Sequence, residues 1–152
     1  MRHAQTEAGT GDPPGYRLGD CATQRNLSEA GRQQARTLGA LLQQAQVRFD
    51  VIRSSRWCRC LETARLAFGQ AEAWSALDSF FDAHERGPAQ LTELRRALQQ
   101  LTPGHRQAWV THQVVITGLT GLWTASGEVL VLEPRTGTQP PQLIARFIPP
   151  IL

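Results

Sequence analysis

The chain opens Met1-Arg2-His3-Ala4-Gln5-Thr6, which sets an arginine beside a histidine at the head of a Gly-rich stretch. A neutral imidazole can attack phosphorus, and a neighbouring guanidinium can hold the oxygens around it. Nearby arginines also oppose protonation of the imidazole, which keeps its nitrogen free near pH 7. Alone, Arg2 and His3 read as surface residues near a terminus. Two further blocks change their weight. Ser54-Ser55-Arg56-Trp57-Cys58-Arg59-Cys60-Leu61-Glu62-Thr63-Ala64 carries Arg59 four residues after Ser55, and Val110-Thr111-His112-Gln113 carries a second histidine. Two guanidinium groups and an imidazole suit the three equatorial oxygens of a phosphoryl group in transit. Such transfers depend on positioning and on charge stabilisation more than on covalent chemistry by the protein.

The elements around these residues follow from pattern. Residues 7–25 hold too much Gly and Pro for a helix or a central strand and read as a long loop. Ser28 is a good N-cap for a helix running to about Gln44, with Ala35, Leu38, Leu42 and Ala45 at helical spacing. Phe49 to Arg53 predicts a strand, Arg56 to Phe68 a helix stopped by Gly69, and Ala76 to Phe81 a strand. Leu91, Leu94, Leu98 and Leu101 predict a third helix, ended by Pro103-Gly104. Gln107 to Thr111 predicts a strand ending at His112, followed by an apolar helix whose N-terminus would offer donors to an anion. Val129 to Leu132 and Leu143 to Ile148 predict two more strands. Strands alternating with helices indicate an α/β fold. The expected architecture is a three-layer sandwich, a mostly parallel sheet with helices on both faces, in one domain over residues 1–152. Active sites in such folds lie beyond the carboxyl ends of the strands, where His112 and Ser54-Ser55 fall.

Taken in order, the three blocks resemble the histidine phosphatase superfamily (phosphoglycerate mutase-like, branch 1). A fourth block agrees, since Leu27-Ser28-Glu29-Ala30-Gly31-Arg32-Gln33-Gln34-Ala35 is similar to the family's Leu-Ser/Thr-x-x-Gly-x-x-Gln-Ala helix start. The resemblance implies a phosphomonoester hydrolase that forms a phosphohistidine on His3, with Arg2, Arg59 and His112 as phosphate clamp and Thr6 lining the pocket. It implies no metal and no cofactor. Relatives use a mid-chain acid as proton donor, and Glu85 is the best positional match, with Asp82 and Asp12 behind it. The family's glycine after the histidine is Ala4 here. An asparagine common in mutase-like members has no clear match, which weakens the mutase reading more than the phosphatase one. His84 and His105 match nothing. The compact length resembles small bacterial phosphatases acting on phosphohistidine proteins, sugar phosphates or lipopolysaccharide phosphates. The implied partners are therefore a small phosphomonoester or a phosphohistidine protein, and phosphate ion. A phospho-ligand binder without turnover, or a basic interaction module of the same fold, are the alternatives.

Relatives also carry an apolar strand before the Arg-His pair, in the middle of the sheet, where this chain has only Met1. The expectation is a first central strand largely missing, His3 on a loose terminus, and a gain in stability and rate when residues are added upstream.

Bulk properties fit this reading. A formal net charge of +3 is spread along the chain without a run of like charges, so neither nucleic acid nor a membrane is expected as partner. No apolar stretch is long enough for a transmembrane helix, and no signal region is visible, so the expected compartment is the cytoplasm, or the periplasm if a leader precedes Met1. Three cysteines make no disulfide framework, though Cys21 could pair with Cys58 or Cys60. Cys58-x-Cys60 is a poor zinc spacing.

Overall fold

Strands β1 (Val51–Ser54), β2 (Glu72–Ala73) and β3 (Gln107–Val110) form a parallel sheet in the order β2-β1-β3. Strands β4 (Val129–Glu133) and β5 (Gln142–Phe147) form an antiparallel hairpin beside it. The computed structural model describes residues 1–151. Helices α1 (Glu29–Gln44) and α2 (Cys58–Phe68) pack on each other, as do α3 (Gly87–Gln99) and α4 (Gln113–Thr120). Alternation along β3 serves both layers. Val110 packs with Trp57, Cys60 and Ala64 of the α2 layer, whereas Trp109 packs against Leu77, Leu94, Val115 and Leu119 of the α3–α4 layer. Each fully buried leucine of that second cluster stabilises the fold by ~1.5–3 kcal/mol.

Residues 76–81 do not form the expected strand. Ser75–Leu77 is a 3-10 turn, and the third parallel strand is the two-residue β2. Ala76, Leu77 and Phe80 are all buried, a pattern that a two-fold alternation cannot supply. The turn brings Asp78 beneath Ser55.

The expectation of a loose N-terminus is also overturned. The Met1 carbonyl accepts from Thr111 N at 3.0 Å, and His3 N donates to Thr111 O at 3.0 Å. On the other side Arg2 N donates to Glu128 O at 3.1 Å, and Gly127 N to His3 O at 2.8 Å. Residues 1–3 thus join the parallel sheet to the hairpin at the end where His3 sits. Further along, β3 and β4 flank an apolar cavity of ≈ 680 Å³, lined by Met1, Leu38, Trp109, Leu130, Leu132 and Phe147 among others.

The start of α1 is fitted to the His3 loop. Ser28 Oγ caps the helix by accepting from Gly31 N at 3.1 Å, while Ser28 N donates to Gln5 O. A Cβ on Gly31 would lie 1.9 Å from that same carbonyl oxygen, so only glycine admits this approach. Gln34 Oε1 accepts from Gln5 N at 3.3 Å, and Ala35 is buried against Ala4 and Leu27. Each of these four residues of the Leu-Ser-x-x-Gly-x-x-Gln-Ala pattern therefore has a task in holding residues 3–5.

Candidate active site

His3 is 3% exposed. Its Nδ1 lies 2.9 Å from the carbonyl oxygen of Ala4. A carbonyl only accepts, so Nδ1 carries the proton and Nε2 keeps a free lone pair. Burial pushes the imidazole pKa down to about 3, and the charges of Arg59, Arg2 and Arg25 act in the same direction against the Ala4 hydrogen bond. The ring is neutral at pH 7, the state a nucleophile needs.

His112 stands at the end of β3, with ring centroid 5.5 Å from that of His3. Its Nε2 is 2.8 Å from Ser55 Oγ. Ser55 Oγ in turn lies 3.2 Å from Asp78 Oδ1, a group that can only accept, so the serine proton goes to Asp78 and His112 donates from Nε2. Asp78 is 4% exposed and is held by Arg56 N at 2.9 Å and Arg56 Nε at 2.7 Å. Burial lowers the His112 pKa well below its ordinary value, helped by His3 and Arg59. A bound phosphoryl group would work against that shift. The Trp57 ring packs edge-on to His112 at 5.2 Å and forms one wall.

Three guanidinium groups converge on the two histidines. Arg2 is fixed by a 2.8 Å bond from its Nη1 to Thr124 O, and Thr124 is itself held by Gln113 Oε1. Arg59 projects from the first turn of α2 and is buried. Arg25, in the loop, donates from Nη1 to Gly9 O. Among the described residues, the buried side-chain polar atoms without a hydrogen-bond partner are the Nε atoms of these three arginines. Burial, then the neighbouring guanidiniums, lower the pKa of Arg2 and Arg25. Like charges gathered with unsatisfied donors cost stability, and the arrangement is explained by an anion that they receive.

One carboxylate already lies among them. Asp12 accepts from Arg59 at 2.7 Å and 3.2 Å through separate nitrogens, from Trp57 Nε1 at 2.9 Å and from Arg25 N at 3.0 Å. The Asp12 and Arg59 side chains are 5% and 6% exposed. Burial alone would raise the Asp12 pKa, but Arg59 and the other donors hold it below the ordinary carboxylate range. The loop carrying Asp12 is fastened to α2 by the Cys21–Cys58 disulfide and by Cys58 N donating to Gln24 Oε1 at 3.0 Å. Cys60 is a buried free thiol whose pKa burial raises to about 12.

Arg2, His3, Arg59 and His112 are therefore brought together. Thr6 is half-buried in a bridge to Leu27. Glu85 is exposed on the single turn His84–Arg86, and Asp82 is exposed just before it. His84 and His105, which matched no family position, are exposed. Sequence reasoning missed Arg25, Asp78 and the hold of Arg56 on Asp78. Arg25 had a signal, because it stands two residues before the Leu27-Ser28 motif that locks onto residues 5 and 6. Asp78 had none, since the residues around it predicted a strand.

The histidine phosphatase superfamily (branch 1) profile matches residues 1–81, just over half of the chain, which takes in Arg2, His3, Asp12, Arg25 and Arg59. The chain belongs to this superfamily. Solved structures of the same fold cover its remainder too. A SixA-type protein from Agrobacterium tumefaciens is 22% identical over 98% of this chain and 96% of that one, with a TM-score of 0.62. The protein histidine phosphatase SixA, solved with tungstate, is 16% identical over 98% and 94%, with a TM-score of 0.60. A phosphoserine phosphatase from Entamoeba histolytica, in complex with phosphoserine, is 18% identical over 95% and 93%, with a TM-score of 0.65. No curated protein sequence matches the chain. In this superfamily member the helices flank a parallel sheet, as in those relatives. No helix among the described residues is long and apolar enough to cross a membrane.

Proposed function

We propose that this histidine phosphatase superfamily member hydrolyses phosphomonoesters through a phosphohistidine on His3. The observation that carries the reading is the fixed tautomer of a buried, neutral His3 facing guanidinium groups whose Nε donors are unpartnered. In the first step His3 Nε2 attacks phosphorus and the bond to the ester oxygen breaks, its electron pair leaving on that oxygen with a proton. In the second, water attacks phosphorus and the electron pair of the phosphorus–nitrogen bond returns to His3. Arg2, Arg25 and Arg59 hold the oxygens throughout, and His112 contributes a further donor once the bound phosphoryl group has drawn a proton onto its Nδ1. Donors of this kind are worth most where charge redistributes in a site closed to water.

The relatives named above act on phosphohistidine protein and on phosphoserine, and the fit of their folds supports a phosphate ester or phosphoramidate of this class as substrate. The Cys21–Cys58 bridge supports an oxidising compartment over the cytoplasm. The test is hydrolysis of p-nitrophenyl phosphate by wild type and by His3→Ala. Turnover in wild type, lost in the variant and inhibited by vanadate, is the expected result. Equal rates in the two proteins would overturn the reading.

A further inference from the structure

We propose that Asp12 is the proton donor to the leaving group, and that the substrate itself arms it by taking over Arg59. The inference rests on the phosphatase reading and deepens it. A donor must reach the ester oxygen next to His3, and it must carry a proton when the bond breaks. Glu85 and Asp82 are exposed on and just before the His84–Arg86 turn, with no hydrogen bond or ion pair to an arginine of the site among the described residues, while Asp12 lies on the arginine that the phosphoryl group is to occupy. Its two oxygens use both terminal nitrogens of Arg59, the fork-to-fork geometry that a phosphate also prefers.

Both anions cannot occupy that fork. When a phosphoryl oxygen takes Arg59, Asp12 loses the cation that keeps it ionised and gains a negative neighbour in a buried setting. Each change favours the protonated acid. Asp12 does not drift away, because Trp57 Nε1 and Arg25 N still hold it, and the disulfide ties its loop to α2. The proton is taken from solvent or from the phosphate monoanion as the substrate enters. It passes to the ester oxygen as the phosphorus–oxygen bond breaks, which leaves a carboxylate. That carboxylate then accepts a proton from the water that attacks the phosphohistidine. When inorganic phosphate departs, Asp12 returns to Arg59.

The experiment compares two esters in wild type and Asp12→Asn. Phenyl phosphate needs a protonated leaving group, and 2,4-dinitrophenyl phosphate does not. The expected loss in kcat/KM, which reports formation of the phosphohistidine and not its hydrolysis, is about 100-fold or more on phenyl phosphate and under about 3-fold on the dinitrophenyl ester. The inhibition constant for inorganic phosphate should fall, because the carboxylate that competes for Arg59 has gone. Retained turnover of the dinitrophenyl ester doubles as proof that the variant is folded. An equal loss on both esters would overturn the assignment, as would a leaving-group-selective loss in Glu85→Gln instead. A wild type that turns over neither ester would overturn the phosphatase reading itself, and this assignment with it.

Discussion

The two ends of the slot between β3 and β4 are built differently. At the His3 end, residues 1–3 fill it, and four backbone hydrogen bonds tie them to Thr111 on one side and to residues 127 and 128 on the other. At the opposite end the same two strands border an apolar cavity of ≈ 680 Å³. Order in the site is supplied locally, by polar contacts to Gln5, Thr111, Thr124 and Gly127. The contrast implies that the site should fail when those local contacts are broken and gain only modestly when the far end is filled.

The largest effect is expected at Arg59. Arg59→Leu leaves Asp12 buried without its cation, a change that costs ~3–5 kcal/mol when one partner of a buried pair is removed. Denaturant unfolding should show that loss, together with loss of phosphate inhibition. A variant as stable as wild type would mean that the Asp12–Arg59 pair is not held as described. Next comes Gly31→Ala, whose Cβ would press on Gln5 O at 1.9 Å. Displacing that backbone should cost ~1–3 kcal/mol and lower kcat through the shifted His3. A structure of the variant with residues 3–5 unmoved would contradict this. Ser55→Ala removes the link between Asp78 and His112 and leaves each short of a partner, at ~1–3 kcal/mol. Its kcat should fall in an otherwise wild-type protein but little further in a His112→Ala background, and additive losses would break the proposed link.

Filling the far end is a milder perturbation. A few β-branched residues placed ahead of Met1 would bury apolar surface in the cavity and replace the buried Met1 amine, whose pKa burial lowers to about 6. A higher Tm is expected, with kcat changed far less than by Gly31→Ala. An unchanged Tm would mean that the cavity does not accept an added strand.

The smallest effect concerns pH. The folded-state pKa of His3 lies near 3, below its ordinary 6.5. The unfolded chain therefore takes up a proton that the native site refuses, and stability declines as pH falls from about 6.5 toward 3. Wild type should lose more Tm between pH 7 and 5 than His3→Gln does. Equal losses would show that His3 titrates normally in the folded protein.

Much of the site was legible in the sequence because its residues lie in short blocks with fixed internal spacing. Ser55 and Arg59 sit at a strand end and on the helix turn that follows it, so four residues of spacing set their geometry. The helices were legible for a similar reason, since Ser28 and Gly69 mark real ends. What could not be read depended on contacts across the chain. Asp12 meets Arg59 only because the Gly- and Pro-rich loop folds back over α2, and a loop of that composition carries no periodicity. Asp78 reaches Ser55 through a turn whose buried Leu77 and Phe80 look like strand residues in sequence. The choice of Cys58 over Cys60 as partner of Cys21 likewise depends on which face of α2 meets the loop.

The central claim is that phosphoryl transfer passes through His3. The direct test is to mix the enzyme with a 32P-labelled phosphomonoester, quench in alkali within the first turnover, and map the label by peptide. The account predicts an acid-labile, alkali-stable phosphohistidine on the peptide carrying His3, absent in His3→Ala. Turnover with no label on His3, or label on His112 instead, would contradict it.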